Sequence, residues 1–209
     1  MASPGRRTAY VGLGANVGDA AGTLAAAIHA LAALPGVRLR GVSQLYSTTP
    51  VGVVDQPDFR NAVVALDVPA GPDPATGAIA LLIALKGIEA AFGRQPRGRW
   101  GPRELDLDLL VFGRSRLSID RPKAARSIEA EVDPAKASRL LEVPHREAHH
   151  RLFVLAPLAD LAPRLVPPGW FESVATARHR RELVEGSTAV RPVATWVTGP
   201  TEGGWTTER

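Results

Sequence analysis

The apolar positions of this chain switch several times between a period of two and a helical period, and each switch marks an element. Thr8 to Leu13 predicts a first strand, and the alanine- and leucine-rich run Thr23 to Leu34 predicts a helix that Pro35-Gly36 ends. Val37 to Tyr46 and Asn61 to Val68 predict two further strands, separated by a proline-containing stretch, Ser47 to Arg60, with little periodicity. Loops that long in a compact domain are usually functional or without fixed structure. Asp73 to Phe92 predicts a second helix with Leu81, Leu85, Ile88 and Phe92 on one stripe. Gly93 to Pro102 reads as a second long loop, and Glu104 to Phe112 as a strand. Residues 114–140 are charged and irregular and predict an inserted excursion, after which Leu152 to Leu161 predicts a short helix returning to the core. From Arg191 onward proline, threonine and glycine dominate, which predicts a loose tail. Strands and helices interleaved without a regular crossover pattern predict an α+β sandwich.

Length and composition narrow the class. At 209 residues the chain suits one globular domain with appendages, large enough for a real core. It has no cysteine, which excludes disulfides, thiolate nucleophiles and thiolate zinc sites together. A metal must therefore be held by carboxylates or imidazoles, and carboxylate oxygens favour hard ions such as magnesium. The net charge is +4, but its placement matters more: Arg94, Arg97, Arg99 and Arg103 fall in one stretch without an acid. Such a field suits a polyanion, either nucleic acid or a nucleotide's phosphates. The basic start lacks a signal-length apolar run, and no apolar stretch in the sequence approaches the roughly 20 residues of a membrane span. The expectation is a soluble cytoplasmic protein without a membrane partner.

The segment 99–110, Arg-Trp-Gly-Pro-Arg-Glu-Leu-Asp-Leu-Asp-Leu-Leu, carries the sharpest candidate chemistry. On a strand, Leu105, Leu107 and Leu109 face one way and Asp106 and Asp108 the other. The leucines would pin the strand while the two carboxylates, with Cα atoms roughly 6.5 Å apart, converge on one divalent ion or bracket a pair. An amphipathic edge strand with two solvated acids gives the same pattern. Trp100, in a Gly/Pro loop, and Phe59 could stack on a flat heterocycle, and the Asn61 amide could bond an amino/oxo ring edge or merely cap its loop.

Other motifs carry less. Gly12-Leu-Gly14-Ala-Asn-Val-Gly18 departs from the dinucleotide fingerprint, because Val17 stands where its third glycine belongs and Arg38 where a ribose-binding acid is wanted. No Gly-x4-Gly-Lys-Ser/Thr loop is present, so a nucleotide must be held by metal and arginine. His145-Arg-Glu-Ala-His149-His150 lacks the glutamate that should follow the first histidine of a zinc protease helix. His29, in the alanine-rich helix, is assigned no role.

Taken together the chain resembles the 6-hydroxymethyl-7,8-dihydropterin pyrophosphokinase family. The segments that carry the resemblance are Tyr10 to Asp19, Ser43 to Gly52, Asp55 to Asn61, Leu85 to Arg94, Arg99 to Asp108, Val143-Pro-His145 and Arg151 to Leu158, in that order. The resemblance implies a ferredoxin-like α+β fold, a mostly antiparallel sheet with helices packed on it, over residues 8–163 with an insertion at about 114–140. Residues 1–7 would be a flexible start and 164–209 a partly disordered extension. It implies transfer of pyrophosphate from ATP to the pterin hydroxymethyl oxygen, leaving AMP, in folate biosynthesis. By position, Asp106 and Asp108 would hold two magnesium ions, and Arg94 and Arg103 would carry developing phosphate charge. Thr48, Thr49, Pro50, Val51 and Asn61 would read the pterin edge, with Phe59, Trp100 and Phe153 around its ring. Lys86, Glu89, Arg97, Arg99, Leu109, His145 and Arg151 would lie along the ATP site. The partners implied are these two small molecules and no nucleic acid, and the expected state is a monomer.

The chain departs from the family pattern at Ala15, where serine is usual, in the length of residues 113–140, and at Glu142 and Arg146 beside Pro144-His145. Two other classes compete. A nucleic-acid module using the loop arginines and Arg178-His-Arg180-Arg181 leaves the paired aspartates unexplained and repelling phosphate. A zinc hydrolase on His145 to His150 would need bound zinc.

Overall fold

The computed structural model describes residues 5–50, 55–94, 101–122, 138–198 and 203–207. Strand β1 (Arg6–Ala15) leads into helix α1 (Ala20–Ala32), whose first turn is capped by Asp19, its carboxylate accepting from the Gly22 N–H at 2.9 Å. Strands β2 (Arg38–Val42) and β3 (Leu45–Thr48) both pair with β4 (Phe59–Pro69). Helix α2 (Pro74–Ala91) starts at an Asp73 cap with proline in the first turn, and β5 (Asp106–Phe112) follows. The order β5–β1–β4 and then β2 or β3, with all described pairings antiparallel, is a ferredoxin-like βαββαβ core.

The sheet is covered on both faces. On one, Leu24, Ala27, Ile28 and Leu31 of α1 and Ala78, Leu81, Leu85 and Ile88 of α2 pack on Val11, Leu13, Val64, Leu66, Leu107 and Leu109. Helix α2 has the length and apolar composition of a membrane span, but this stripe lies against the sheet. On the other face α3 (Leu152–Leu161) and α4 (Val174–Glu185) cover Val63, Leu110 and Val111. The register of β5 against β1 shifts between Tyr10 and Val11, leaving Leu110 as an extra residue. Alternation therefore breaks: Leu109 and Phe112 face α1 and α2, whereas Leu110 and Val111 both face α3 and α4.

Three expectations need revision. The single strand expected over Val37 to Tyr46 is two, because at Ser43 the side-chain hydroxyl takes over the Val63 N–H (2.9 Å) and the ladder is interrupted. The excursion at 114–140 begins and ends in strand, β6 (Leu117–Asp120) pairing with β7 (Arg139–Val143), and Leu117, Ile119, Leu141 and Val143 pack on the main core. The loose tail expected from Arg191 onward is instead β8 (Val190–Val197), paired with β3, and β9 (Gly204–Thr206), paired with β8. Trp196 and Trp205 meet edge to face at 4.9 Å, and the Trp205 indole N–H donates to the Ser43 carbonyl at 3.2 Å. His29 belongs to the same contact, with Nε2 at 2.9 Å from the Gly203 carbonyl oxygen.

Candidate active site

Three neighbouring strands line up the candidate residues. Gly14 on β1 is directly opposite Asn61 on one side and Asp106 on the other, and Gly12 is opposite Val63 and Asp108. Directly opposed residues share a face, so Asn61, Gly14, Asp106, Gly12 and Asp108 all look toward the side covered by α3. With hydrogen for side chains, the two glycines leave a trough between the amide and the acids. The walls of this groove include Asn61, Asp106, Asp108, Leu110 and Phe153. A Cβ on Gly14 would lie 3.2 Å from the Asn61 Oδ1. Gly12 and Gly14, in the stretch that departs from the dinucleotide fingerprint, are strand residues, and their spacing of two is the signal of a bare strip across a sheet.

The β5 alternation places the acids as expected: Leu107 and Leu109 are buried toward α1 and α2, and Asp106 and Asp108 are half-buried on the opposite face. Asp106 is held from two sides. Its Oδ1 lies 2.7 Å from Arg94 Nη1, and its Oδ2 accepts from Arg103. Burial opposes its charge, but the nearby Arg103, Arg94 and Lys86 outweigh that and hold its carboxyl below the usual range. Burial likewise opposes the Arg94 charge, and Asp106 and Glu89 reverse the effect, pushing its pKa up.

The outer edge of β5 is finished by α2. The Leu107 N–H donates to Glu89 Oε1 at 2.7 Å and the Leu107 carbonyl accepts from Lys86 Nζ at 3.1 Å. Lys86 and Glu89 are themselves paired at 2.7 Å, and Glu89 also receives Arg94. Glu89 was expected along a nucleotide, yet it is 3% exposed and faces the β5 backbone and Arg94. The Leu109 side chain, expected in the same place, lies in the core beneath α1 and α2, so only its backbone is near the acids.

Around the amide end, the Asn61 Nδ2 donates to Thr48 Oγ1 at 2.9 Å. Phe59, opposite Thr48, is on the same face two residues before Asn61. Thr49 and Pro50 continue from β3 beside this pair. Phe153 enters from the first turn of α3, with the Arg151 guanidinium carbon 5.7 Å from its ring centre. His145 is tied to β5 through its N–H, which donates to the Leu110 carbonyl at 2.8 Å. Val51, Arg97, Arg99 and Trp100 lie outside the described residues.

The competing sites dissolve. Among the described residues no three histidine, aspartate or glutamate side chains form a metal-binding group. His149 bonds Glu172 at 2.6 Å and stacks with Trp170 at 4.5 Å. The basic run of α4 is paired along its length, Arg178 with Glu182, Arg180 with Glu172 and Arg181 with Glu185.

Comparison with known proteins identifies the family and the fold. The family model described as 7,8-dihydro-6-hydroxymethylpterin-pyrophosphokinase matches residues 10–163. A 2-amino-4-hydroxy-6-hydroxymethyldihydropteridine pyrophosphokinase of Pseudomonas aeruginosa is 42% identical over 176 residues, covering 84% of this chain and 88% of that one. Its counterpart in Methylorubrum extorquens is 41% identical over 161 residues, covering 77% and 86%. Among solved structures, a Plasmodium falciparum HPPK-DHPS triple mutant with STZ-DHP superposes on all of this chain with a TM-score of 0.67 at 14% identity. At that identity the match speaks for the fold alone, and this chain spans half the length of that solved chain.

Proposed function

Because the chain belongs to the 7,8-dihydro-6-hydroxymethylpterin-pyrophosphokinase family, and so transfers pyrophosphate from ATP to a pterin in folate biosynthesis, we propose that the glycine-floored trough is where the transfer occurs. The observation that carries the assignment is the row Asn61–Gly14–Asp106, running across three strands without an intervening side chain. Two strand spacings separate the amide from the acid by about 10 Å. That is room for a flat bicyclic ring read by Asn61 at one edge, with its hydroxymethyl arm extended toward the carboxylates.

Asp106 and Asp108 fit magnesium. They are hard oxygen donors on one rigid strand, and two carboxylates suffice where substrate phosphates and water complete an octahedron. Held there, such ions would supply charge neutralisation for the triphosphate; two of them is our reading. The protein's part is positioning and electrostatics, since phosphoryl-type transfer requires no protein nucleophile. Arg94 and Arg103, which grip Asp106 at the carboxylate end of the trough, would hold phosphate oxygens and stabilise the charge that develops on them. Glu89 keeps Arg94 in place throughout, and Lys86 and the backbone of Leu109 line the β5 side. Phe153 and Phe59 flank the ring and Thr48, Thr49 and Pro50 meet its edge, and we assign Val51 and Trp100 to pterin binding as well. Arg97, Arg99, His145 and Arg151 surround the nucleotide. We further read the working unit as a monomeric cytoplasmic enzyme.

The test is incubation with ATP, magnesium and 6-hydroxymethyl-7,8-dihydropterin. AMP and a pterin diphosphate are expected in equal amounts. ADP as the nucleotide product would refute pyrophosphate transfer, and unaltered turnover in Asn61→Ala and Asp106→Ala would move the site elsewhere.

A further inference from the structure

Strand β8 lies beyond residue 163, where the match to the family ends, yet its register carries the rows of the trough one strand further. Tyr46 continues the row Asn61–Gly14–Asp106, and Pro192 of β8 follows it. In the neighbouring row Phe59 opposes Thr48 and Thr48 opposes Val190, so all three share the face covered by α3. Val190 is buried there with Tyr46, Leu152 and Ala156, and Phe153 packs on the same cluster. One side chain of β8 therefore supports both elements that bring residues to the pterin end of the trough. These are the β3–β4 corner with Thr48, Phe59 and Asn61, and the first turn of α3 with Phe153.

The cluster is fixed from several sides. The Tyr46 hydroxyl donates to Asp160 Oδ1 at 2.9 Å, which ties β3 to α3. The Leu152 N–H donates to Glu185 Oε1 at 3.4 Å, so the last residue of α4 holds the turn that carries Phe153. Gly186, at a φ of +90°, then turns the chain from α4 toward β8. On the opposite face Arg191 comes within 3.8 Å of Asp58, which accepts from the Ser47 hydroxyl at 2.9 Å. A close-packed cluster passes on the loss of even a methyl group, because it has little free space in which to absorb the change. We infer that Val190 is a positioning residue for the pterin: its isopropyl group sets how Thr48 and Phe153 stand to one another, and with them the fit of the ring. The inference rests on the substrate assignment proposed above. Asp106 and Asp108 stand on β5, outside this cluster, so the nucleotide end is insulated from it.

Val190→Ala takes two methyl groups from the cluster and leaves β8 a strand. Steady-state assay of AMP release on the full chain, varying each substrate in turn, should show the pterin KM raised about 3- to 10-fold. The ATP KM and kcat should stay within about twofold of the parent. Val190→Ile keeps the branched shape and should keep the pterin KM within about twofold as well. Trp205→Ala is the comparison for stability alone, because it loosens β9 against the far end of β8; assayed well below its Tm it should show the parental pterin KM. A residue with only a structural role would lower the Tm of Val190→Ala and leave both KM values of the folded enzyme unchanged, which would overturn the inference. So would an equal rise in the two KM values, or a pterin KM that rises as much in Trp205→Ala. A parent that forms no AMP would instead remove the substrate assignment, and the inference with it. If Val190→Ala does not fold, Val190→Thr, which keeps nearly the same shape but sets a hydroxyl in the apolar cluster, carries the same expectation.

Discussion

Gly14→Ala separates activity from stability in a direction the structure fixes. The new Cβ would stand 3.2 Å from the Asn61 Oδ1, so the amide must yield by a few tenths of an ångström. Asn61 has little room to do so, being 7% exposed and bonded to Thr48 Oγ1 at 2.9 Å. Misaiming that amide removes one polar contact to the pterin edge, worth about 0.5–1.5 kcal/mol. That corresponds to a loss of about 2- to 13-fold in kcat/KM, expressed in the pterin KM and not in the ATP KM. Alanine in a strand interior is about 0.5–1 kcal/mol better than glycine, and crowding the buried Asn61 amide offsets that preference, so Tm should move by no more than about 2 °C. Gly14→Val keeps the strand and fills the trough, so its loss should be on the order of a hundredfold. At Gly12 an added Cβ would meet Leu110 at 3.4 Å, an ordinary contact, so a loss of turnover in Gly12→Ala would read the filling of the trough and not strain. Steady-state assay of AMP release, varying each substrate in turn, together with thermal unfolding, reads all of this. A Gly14→Ala enzyme with the parental pterin KM, or one whose activity loss is fully accounted for by unfolding, would refute the picture of a bare strip kept for the substrate.

Asp106→Ala and Asp108→Ala should each lower turnover by on the order of a thousandfold with the fold intact; near-parental AMP release at saturating magnesium would remove them from the metal site. The Asp106 carboxyl, held below its ordinary value of 3.8, contributes stability that is present above that pH and lost as pH falls through its lower folded value. Denaturant unfolding of Asp106→Asn should therefore show a shallower acid limb than the parent below about pH 4, and superimposable limbs would show that the arginines do not stabilise the charge. Trp205→Ala, which removes the contacts to Trp196 and Ser43, should cost about 2 kcal/mol and about 4–8 °C in Tm; an unchanged Tm would mean that β9 is not docked as described.

What was legible in the sequence was local. Leu107, Asp108 and Leu109 alternate, so a period of two was enough to put the acids on one face of β5. The bulge at Leu110 was not legible, because two adjacent leucines read equally well as continued strand and as its end. Glu89 shows the same limit in another form. Its helix carries only one other charged residue, Lys86, and an acid beside a buried stripe signals an inward role, but the partner it serves is the Leu107 backbone on a distant strand. The tail was misread because composition was weighed over pattern. Val190, Pro192 and Ala194 oppose residues of β3, a pairing that only the assembled sheet provides.

The distribution of charge argues for how the site changes on binding. Glu89 and Asp106 are matched in the described structure by Lys86, Arg94 and Arg103, so no carboxylate of this network is left buried without a cation. A divalent ion arriving at Asp106 would meet two guanidiniums already there, and like charges at that distance cannot both remain. On the proposed assignment the arginines would hold phosphate oxygens and leave the carboxylates to the ions, so that every charge in the site would keep a counter-charge. Metal alone should then bind weakly and nucleotide alone should leave Asp106 with its arginines. The Glu89 contact anchors Arg94, so on the proposed assignment its guanidinium would meet the transferring group already aimed.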